Sequence, residues 1–537
     1  MTRLLCLVCL LPQLAAAAPP PPPPKPPSDK NTPLGNNRLE ELGVAIEKAL
    51  NAWNVDEARL LWVQVQELNL HGLALLHYLQ GRMAFQLGLY DEAVSEFVLA
   101  GQEDRPNTFL HLAKAGQRFL KTAQRFESEH FVLFVPQGKQ TVLSGYALEV
   151  LEAQYQAMKE DLGFSSREKL RVELVSSARE LAQLSGVPFE KLLNSGMVAF
   201  CKFGKIVLLS PSALRGGFEW QDSLAHEYVH FAIAKKSLGK APLWVEEALA
   251  AHLESRWRNP APPPLPRADW AALQKHMRTS NALLLEKLHN SMADYANPQK
   301  AQLAFAEGFL LMEHLRKQTG PQVFVQLLEK LSQQAEATDA IGELSGMPWA
   351  KWKQQFRSAV LARRFPSNPT SPPAQENNLS NPKLLHELRL AKLYADNQHN
   401  QAAAYHYAKA WALGGQNQPS VAQAYVQVLL ALSRFDEAER VLETSLGQET
   451  VPAAVWISLG KLRLFQSQWE KAQKAFERAL AQNPFFPELH LGLYAAAQAQ
   501  GNATLAKRAQ EAAAILLQTS PENVVDMAKA LSTPGAL

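Results

Sequence analysis

Three alanines in the C-terminal third of the chain are separated by one constant interval. Ala438, Ala472 and Ala506 each lie 34 residues from the next. A fixed period of this length indicates a repeat architecture, in which each repeat buries its apolar face only against its neighbours. Because small residues recur where two helices approach closely, the period predicts a stack of helix pairs.

The residues around the central alanine resemble one tetratricopeptide unit. They occupy its signature positions as Trp456, Leu459, Gly460, Ala472, Phe476, Ala479 and Pro484. A further unit precedes the series at 35 residues and contains Ala391, Tyr394, Ala403, Tyr407 and Ala410. The resemblance implies a right-handed solenoid over residues 382–520, followed by a tail at 521–537. Its concave groove would take a peptide or protein; alternatively, the stack only stabilises its neighbour.

Residues 38–124 also have a helical pattern, with few β-branched runs. Small and aromatic residues at helix spacing resemble another tetratricopeptide unit: Gly81, Ala84, Tyr90, Ala93, Phe97 and Ala100. Such alanine-rich spacing is equally compatible with another kind of helical bundle.

The central segment, residues 125–365, differs from both helical regions in its residue content and its apolar pattern. Runs with the length and the β-branched or aromatic content of strands occur at 131–135, 170–175, 197–200 and 205–210. A helix is predicted at 143–162, between the first two strands. The predicted fold class is therefore α+β, with a sheet-containing domain between mostly α-helical segments.

A short motif follows the predicted strands. His226, Glu227 and His230 form a His-Glu-x-x-His string on an apolar helix. Residues four apart project from the same helix face, so the two imidazoles can bind one ion, with Glu227 within reach of a metal-bound water. This pattern predicts a zinc hydrolase centre that needs one more ligand.

The central segment resembles the gluzincin metallopeptidases, and in particular the compact peptidase-MA-like domains of exported bacterial proteins that carry tetratricopeptide repeats. The resemblance covers about residues 126–361 and rests on the histidine motif, on Ser210-Pro211 after a strand, and on the Pro-Leu-Trp-Val-Glu-Glu-Ala-Leu-Ala string at 242–250. It implies a zincin-like metallopeptidase domain with Glu247 as the third ligand of Zn²⁺. Glu246 is the competing candidate and points about 100 degrees away on the same helix.

This ligand set agrees with the chemistry of catalytic zinc. Such sites have three protein ligands and one open position, and two histidines with one glutamate leave the ion positively charged. Glu227 would act as general base, taking a proton from the attacking water and passing it to the departing amine.

The chain departs from the family pattern at several positions. Ala248 replaces the glycine that usually follows the ligand glutamate, and Ala251 stands where many gluzincins have an acidic residue that orients a ligand histidine. Asp222 or Glu254 could substitute for that acidic residue.

The donor for the developing oxyanion is unassigned. Where relatives often carry a tyrosine, this chain has Phe305. Tyr295 and His289 are the remaining candidates for this role.

The N-terminus predicts export. A positively charged N-terminus, followed by an apolar run and then by small residues, indicates a signal peptide at 1–17. A proline-rich linker is assigned to 18–37. A second linker is assigned to 366–381. Removal of the signal leaves Cys201 as the single cysteine, which excludes an internal disulfide. The expected location is the periplasm or the extracellular space.

Charge and hydropathy restrict the partners. The net charge of +3 gives no electrostatic reason to expect nucleic acid, and no second apolar run is long enough for an integral membrane span. The sequence therefore predicts an exported zinc-dependent peptidase whose repeats recruit a protein substrate or partner. The alternative is a catalytically weak or inactive zincin-like scaffold for protein assembly.

Overall fold

The computed structural model describes residues 33–105, 108–166, 168–280, 282–285, 298–363, 381–446 and 451–531. Within these residues the chain is mostly helical with one small sheet. This content of helix and sheet agrees with the sequence prediction. The predicted signal peptide, most of the first linker and nearly all of the second lie outside the described residues.

Five helices open the described chain: α1 (Pro33–Asn51), α2 (Val55–Glu67), α3 (Ala74–Gln86), α4 (Tyr90–Leu99) and α5 (Phe109–Leu120). Helix α1 begins inside the segment assigned to the proline-rich linker, because proline is tolerated in a first helical turn. Helices α3 and α4 approach closely, since a Cβ atom on Gly81 would lie 2.7 Å from the Phe97 ring. The five helices share an apolar core of their own.

Five strands form one sheet: β1 (Ala123–Glu127), β2 (Phe131–Pro136), β3 (Leu170–Val175), β4 (Ala199–Lys202) and β5 (Lys205–Leu209). Their spatial order is β1-β2-β3-β5-β4. The three central strands are parallel, and each edge strand is antiparallel to its neighbour. Strand β1 is absent from the sequence interpretation; it begins inside the segment assigned to helices and gains its order by pairing with β2.

Buried charges join the first helices to the sheet. The Tyr90 hydroxyl donates to Glu173 over 2.7 Å, and the Lys205 ammonium donates to the other oxygen of the same carboxylate over 2.7 Å. Because these groups are buried, their mutual hydrogen bonds offset the desolvation of the charges.

Ten helices accompany the sheet: α6 (Leu143–Leu162), α7 (Ala178–Ser185), α8 (Phe189–Ser195), α9 (Trp220–Ser237), α10 (Leu243–Leu253), α11 (Arg267–Thr279), α12 (Pro298–Thr319), α13 (Val323–Ser332), α14 (Ala337–Ser345) and α15 (Trp349–Ala362). Helix α6 packs on β2, and α9 packs on β4 and β5 and against α6. Helix α9, which carries the histidine motif, is therefore held between the sheet and other helices.

Nine helices follow: α16 (Pro382–Asp396), α17 (Asn400–Ala412), α18 (Pro419–Ala431), α19 (Phe435–Leu446), α20 (Ala453–Phe465), α21 (Trp469–Gln482), α22 (Pro487–Ala499), α23 (Ala503–Leu517) and α24 (Pro521–Leu531). The first eight pack as consecutive pairs. The periodic alanines Ala438, Ala472 and Ala506 are all buried. Helix α24 lies in the segment set apart as a tail.

The C-terminal helices divide between two cores. Residues of α16–α19, with two of α20, form a separate apolar cluster. Residues of α20–α24 instead belong to the cluster that contains the sheet and α9. The last helix pairs are therefore packed into the central domain. Within the described residues, no helix combines the length and apolar character that a membrane crossing requires.

Candidate metal centre

The histidine motif lies in the middle of α9, and both imidazoles are buried. The Nε2 atoms of His226 and His230 are 3.0 Å apart, with the rings on the same helix face. Two ligands of a tetrahedral zinc ion, bound at about 2.0–2.1 Å, lie roughly 3.3 Å apart. The two nitrogen atoms therefore have nearly the separation that one shared ion requires.

A tight turn brings Glu247, the third candidate ligand, to these histidines. Leu238 ends α9 in the left-handed conformation with φ of 55°, and Gly239 follows with φ of 67°. The Gly239 amide donates back to Ala234 over 2.8 Å, and Pro242 then precedes the first residue of α10. This reversal places α10 directly beside α9, because left-handed residues close the end of a helix and redirect the chain.

Glu247 projects from α10 toward the imidazoles. Its carboxylate lies 3.8 Å from the Nε2 atom of His226. Histidine, cysteine, aspartate and glutamate are the side chains that commonly bind metals. Among the described residues, one group of three of these has its potential ligand atoms within 4.8 Å of one another, and it consists of His226, His230 and Glu247. The set fits a divalent cation such as zinc in the number and the chemistry of its ligands.

Glu246, the competing ligand candidate, lies outside this group. Its side chain is also largely buried, and burial raises its pKa to about 8. Glu247, the residue that the sequence resemblance implies, is therefore the one that lies with the two imidazoles, and Glu246 lies on a different face of α10.

Glu227 is fully buried beside the histidines. Burial raises its pKa well above the ordinary value, the Glu247 carboxylate acts in the same direction, and the backbone N–H of Cys201 offsets part of the effect. Within the described structure, neither of its oxygens has a well-formed hydrogen bond to a protein group. A nearby divalent cation would favour the ionised form, because opposite charge opposes the desolvation penalty.

His230 has the protonation state that a metal ligand needs. Burial, and then the neighbouring His226, lower its pKa well below the ordinary value. A neutral imidazole has a free lone pair for an ion. Tyr228 and Val229, which lie between the two histidines in the chain, are buried in the core. The centroid of the Tyr228 ring is 5.3 Å from that of the Phe131 ring.

Of the two candidates for an orienting carboxylate, Glu254 is the one that contacts a histidine of the motif. Its Oε2 atom lies 3.0 Å from Nδ1 of His226, so a proton on Nδ1 leaves Nε2 free for an ion. Asp222, the other sequence candidate, is engaged elsewhere: Trp257 donates to it over 2.9 Å and Arg258 over 3.1 Å. The carboxylate that contacts His226 therefore lies three positions after Ala251.

Close packing behind Glu247 is achieved from the opposite helix. A Cβ atom on Gly308 of α12 would lie 2.9 Å from the Cβ atom of Ala248. The glycine that the resemblance leads us to expect at position 248 is absent, and the glycine at this close approach lies on the facing helix instead. Sequence reasoning missed this role, although a lone glycine inside a helical pattern often indicates close approach.

The oxyanion donor stays unassigned. Phe305 lies partly buried against the core and has no hydrogen-bond donor in its side chain. Tyr295 and His289, the two sequence candidates, lie outside the described residues.

No protein-family model and no curated protein matches the chain. Among solved structures, the crystal structure of the yeast Tom70 is similar over 92% of this chain and 96% of that chain, with 12% sequence identity and a TM-score of 0.24. A likeness at this TM-score carries no argument about fold or function.

Proposed function

We propose that the chain is an exported zinc-dependent peptidase. The observation that carries this proposal is the convergence of His226, His230 and Glu247, with Glu227 buried next to them. Three protein ligands with an adjacent carboxylate are typical of a hydrolytic rather than a structural zinc site, which has four protein ligands.

The residues would divide the chemistry as follows. A bound zinc ion would supply a Lewis acid that polarises water and a peptide carbonyl. Glu227 would take a proton from the water and deliver it to the departing amine nitrogen. Glu254 would hold the tautomer and ring orientation of His226.

The sheet supports a peptide as substrate. Among the described residues, strand β4 is the edge strand next to α9, and its one strand partner is β5. An edge strand presents backbone donors and acceptors to an extended chain. Because α9 packs on β4, a peptide added at this edge would pass beside the ligand histidines.

The helix pairs supply the recruitment surface in this proposal. Helices α16–α19 have their own core and are joined to the central domain through α20. Stacked helix pairs present extended surfaces that suit a protein substrate or partner. Export to the periplasm or extracellular space is part of the proposal and rests on the N-terminal signal pattern.

The decisive experiment compares the wild type with Glu227→Gln in the purified chain, using zinc analysis and cleavage of a peptide library. We expect one zinc per chain in both proteins, cleavage by the wild type alone, and loss and recovery of cleavage with chelator and added zinc. Removing a general base typically lowers the rate by about 10²–10⁴-fold. Glu246→Gln is the matched control, because it alters an adjacent buried carboxyl group outside the candidate ligand group, and it should retain zinc.

A second function, a zincin-like scaffold for protein assembly, is favoured by one observation. Phe305 stands where the resemblance leads us to look for a tyrosine donor, and it cannot stabilise an oxyanion. If the wild type and Glu227→Gln both bind one zinc and both leave every peptide intact, the scaffold is the correct function. Absence of zinc from the wild type would remove both candidates.

A further inference from the structure

The end of repeat helix α21 is capped by the beginning of the metal-site helix α9. The Trp220 indole N–H donates to the carbonyl of Leu480 over 2.9 Å, and the Phe218 amide donates to the carbonyl of Gln482 over 3.1 Å. The last four carbonyls of a helix have no partner within it. Two of them in α21 therefore find donors in the first residue of α9 and in the loop just before it.

The junction is closely packed as well as hydrogen-bonded. Gly217 has φ of 67°, and a Cβ atom there would lie 2.3 Å from the Gln482 carbonyl oxygen. The Gln482 side chain donates to Glu219 over 3.2 Å and to the Val451 carbonyl over 2.9 Å. Trp220 is fully buried. Close packing and hydrogen bonds therefore fix the position of α21 relative to the start of α9.

The contact lies on the same continuous helix as two proposed ligands. Trp220 is six residues before His226, and α9 runs without interruption from Trp220 to Ser237. The first residue outside α9, Glu219, makes no side-chain capping hydrogen bond to the helix. The position of the N-terminal end of α9 is therefore set by its contacts with other elements, including α21.

We propose that Trp220 is a positioning residue through which the C-terminal helix pairs set the placement of His226 and His230. This inference rests on the proposed metal site. Loss of the indole hydrogen bond lets the start of α9 shift relative to α10, which carries Glu247. Because ligand geometry needs close tolerance, the shift weakens coordination even when the fold survives.

The test uses the full chain with Co²⁺ in place of zinc, since the visible absorption of Co²⁺ reports coordination geometry. Trp220→Phe should change the position or intensity of the Co²⁺ bands and release the ion to a chelator about 10-fold faster than the wild type. Gln482→Ala is a milder second variant that removes the bond to Glu219 and should change release in the same direction. Circular dichroism checks that each variant is folded.

Tyr146→Phe is the matched control. It removes a hydrogen bond between the same two parts of the chain, because the Tyr146 hydroxyl lies 3.2 Å from Nδ1 of His490, but Tyr146 lies on α6 and makes no hydrogen bond to the start of α9. Its Co²⁺ spectrum and release rate should equal those of the wild type. If folded Trp220→Phe and Gln482→Ala also match the wild type, the positioning role is wrong. Failure of the wild type to bind Co²⁺ would overturn the proposed metal site and this inference together.

Discussion

The Glu254 carboxylate lies 3.0 Å from Nδ1 of His226, across the gap between the end of α10 and the middle of α9. His226 is fully buried, whereas Glu254 retains partial contact with solvent. The pair resembles the arrangement in which a carboxylate fixes the tautomer of a ligand histidine. It links the two helices that supply all three proposed ligands.

Glu254→Gln is expected to lower zinc affinity by about 10–100-fold, because the amide is a weaker partner for the imidazole N–H than a carboxylate. Competition with a chromophoric chelator measures this directly. The matched control is Asp222→Asn, which changes the other acidic candidate and alters its bonds to Trp257 and Arg258, away from Nδ1 of His226. Equal zinc affinities for the two variants would contradict the role of Glu254.

Gly308→Ala is expected to force α12 away from α10, since the added methyl group would meet Ala248 at 2.9 Å. Overpacking of this kind typically costs about 1–3 kcal/mol. Ala248→Gly removes the opposing methyl group and should restore stability in the double variant. Urea denaturation of the four proteins completes a double-mutant cycle, and strictly additive effects would show that the two positions do not meet.

His490 predicts a pH dependence of stability. Burial lowers its pKa to about 4, while a bond from Nε2 to the Pro484 carbonyl, 2.6 Å long, acts in the opposite direction. Because the pKa of His490 in the folded protein lies below the ordinary 6.5, its contribution to the free energy of unfolding is complete above pH 6.5. That contribution falls as the pH drops toward 4. The free energy of unfolding lost in this way is at most about 3 kcal/mol.

The variant His490→Gln retains a donor for the Pro484 carbonyl and does not titrate. Its urea midpoint should therefore change less than that of the wild type when the pH is lowered from above 6.5 to near 4. Parallel changes in the two proteins would show that His490 is not the titrating group.

Elements whose signal is local could be predicted from the sequence. The helix at 143–162 and the strand at 170–175 have the predicted bounds, because their apolar periodicity is set by residues close in the chain. The position of His226 and His230 on one helix face follows from helix geometry alone. Strand β1 has no comparable apolar run, and it is ordered by its antiparallel pairing with β2.

The choice between candidate partners depended on distant contacts. Asp222 and Glu254 are both acidic and both near the motif, yet Arg258 and Trp257 occupy the first, which leaves the second for His226. The sequence likewise does not predict which glycine allows α10 and α12 to approach, because Ala248 and Gly308 are 60 positions apart in the chain.

By itself the sequence determined the period of the helix pairs, the helix that presents two imidazoles, and the residue types available for an ion, because each depends on spacing within one element. The tertiary structure decided that Glu247 rather than Glu246 lies with these imidazoles, that Glu254 lies beside Nδ1 of His226, and that α21 meets the start of α9. These outcomes depend on how separate elements pack, and packing is decided by shape and burial across the whole chain.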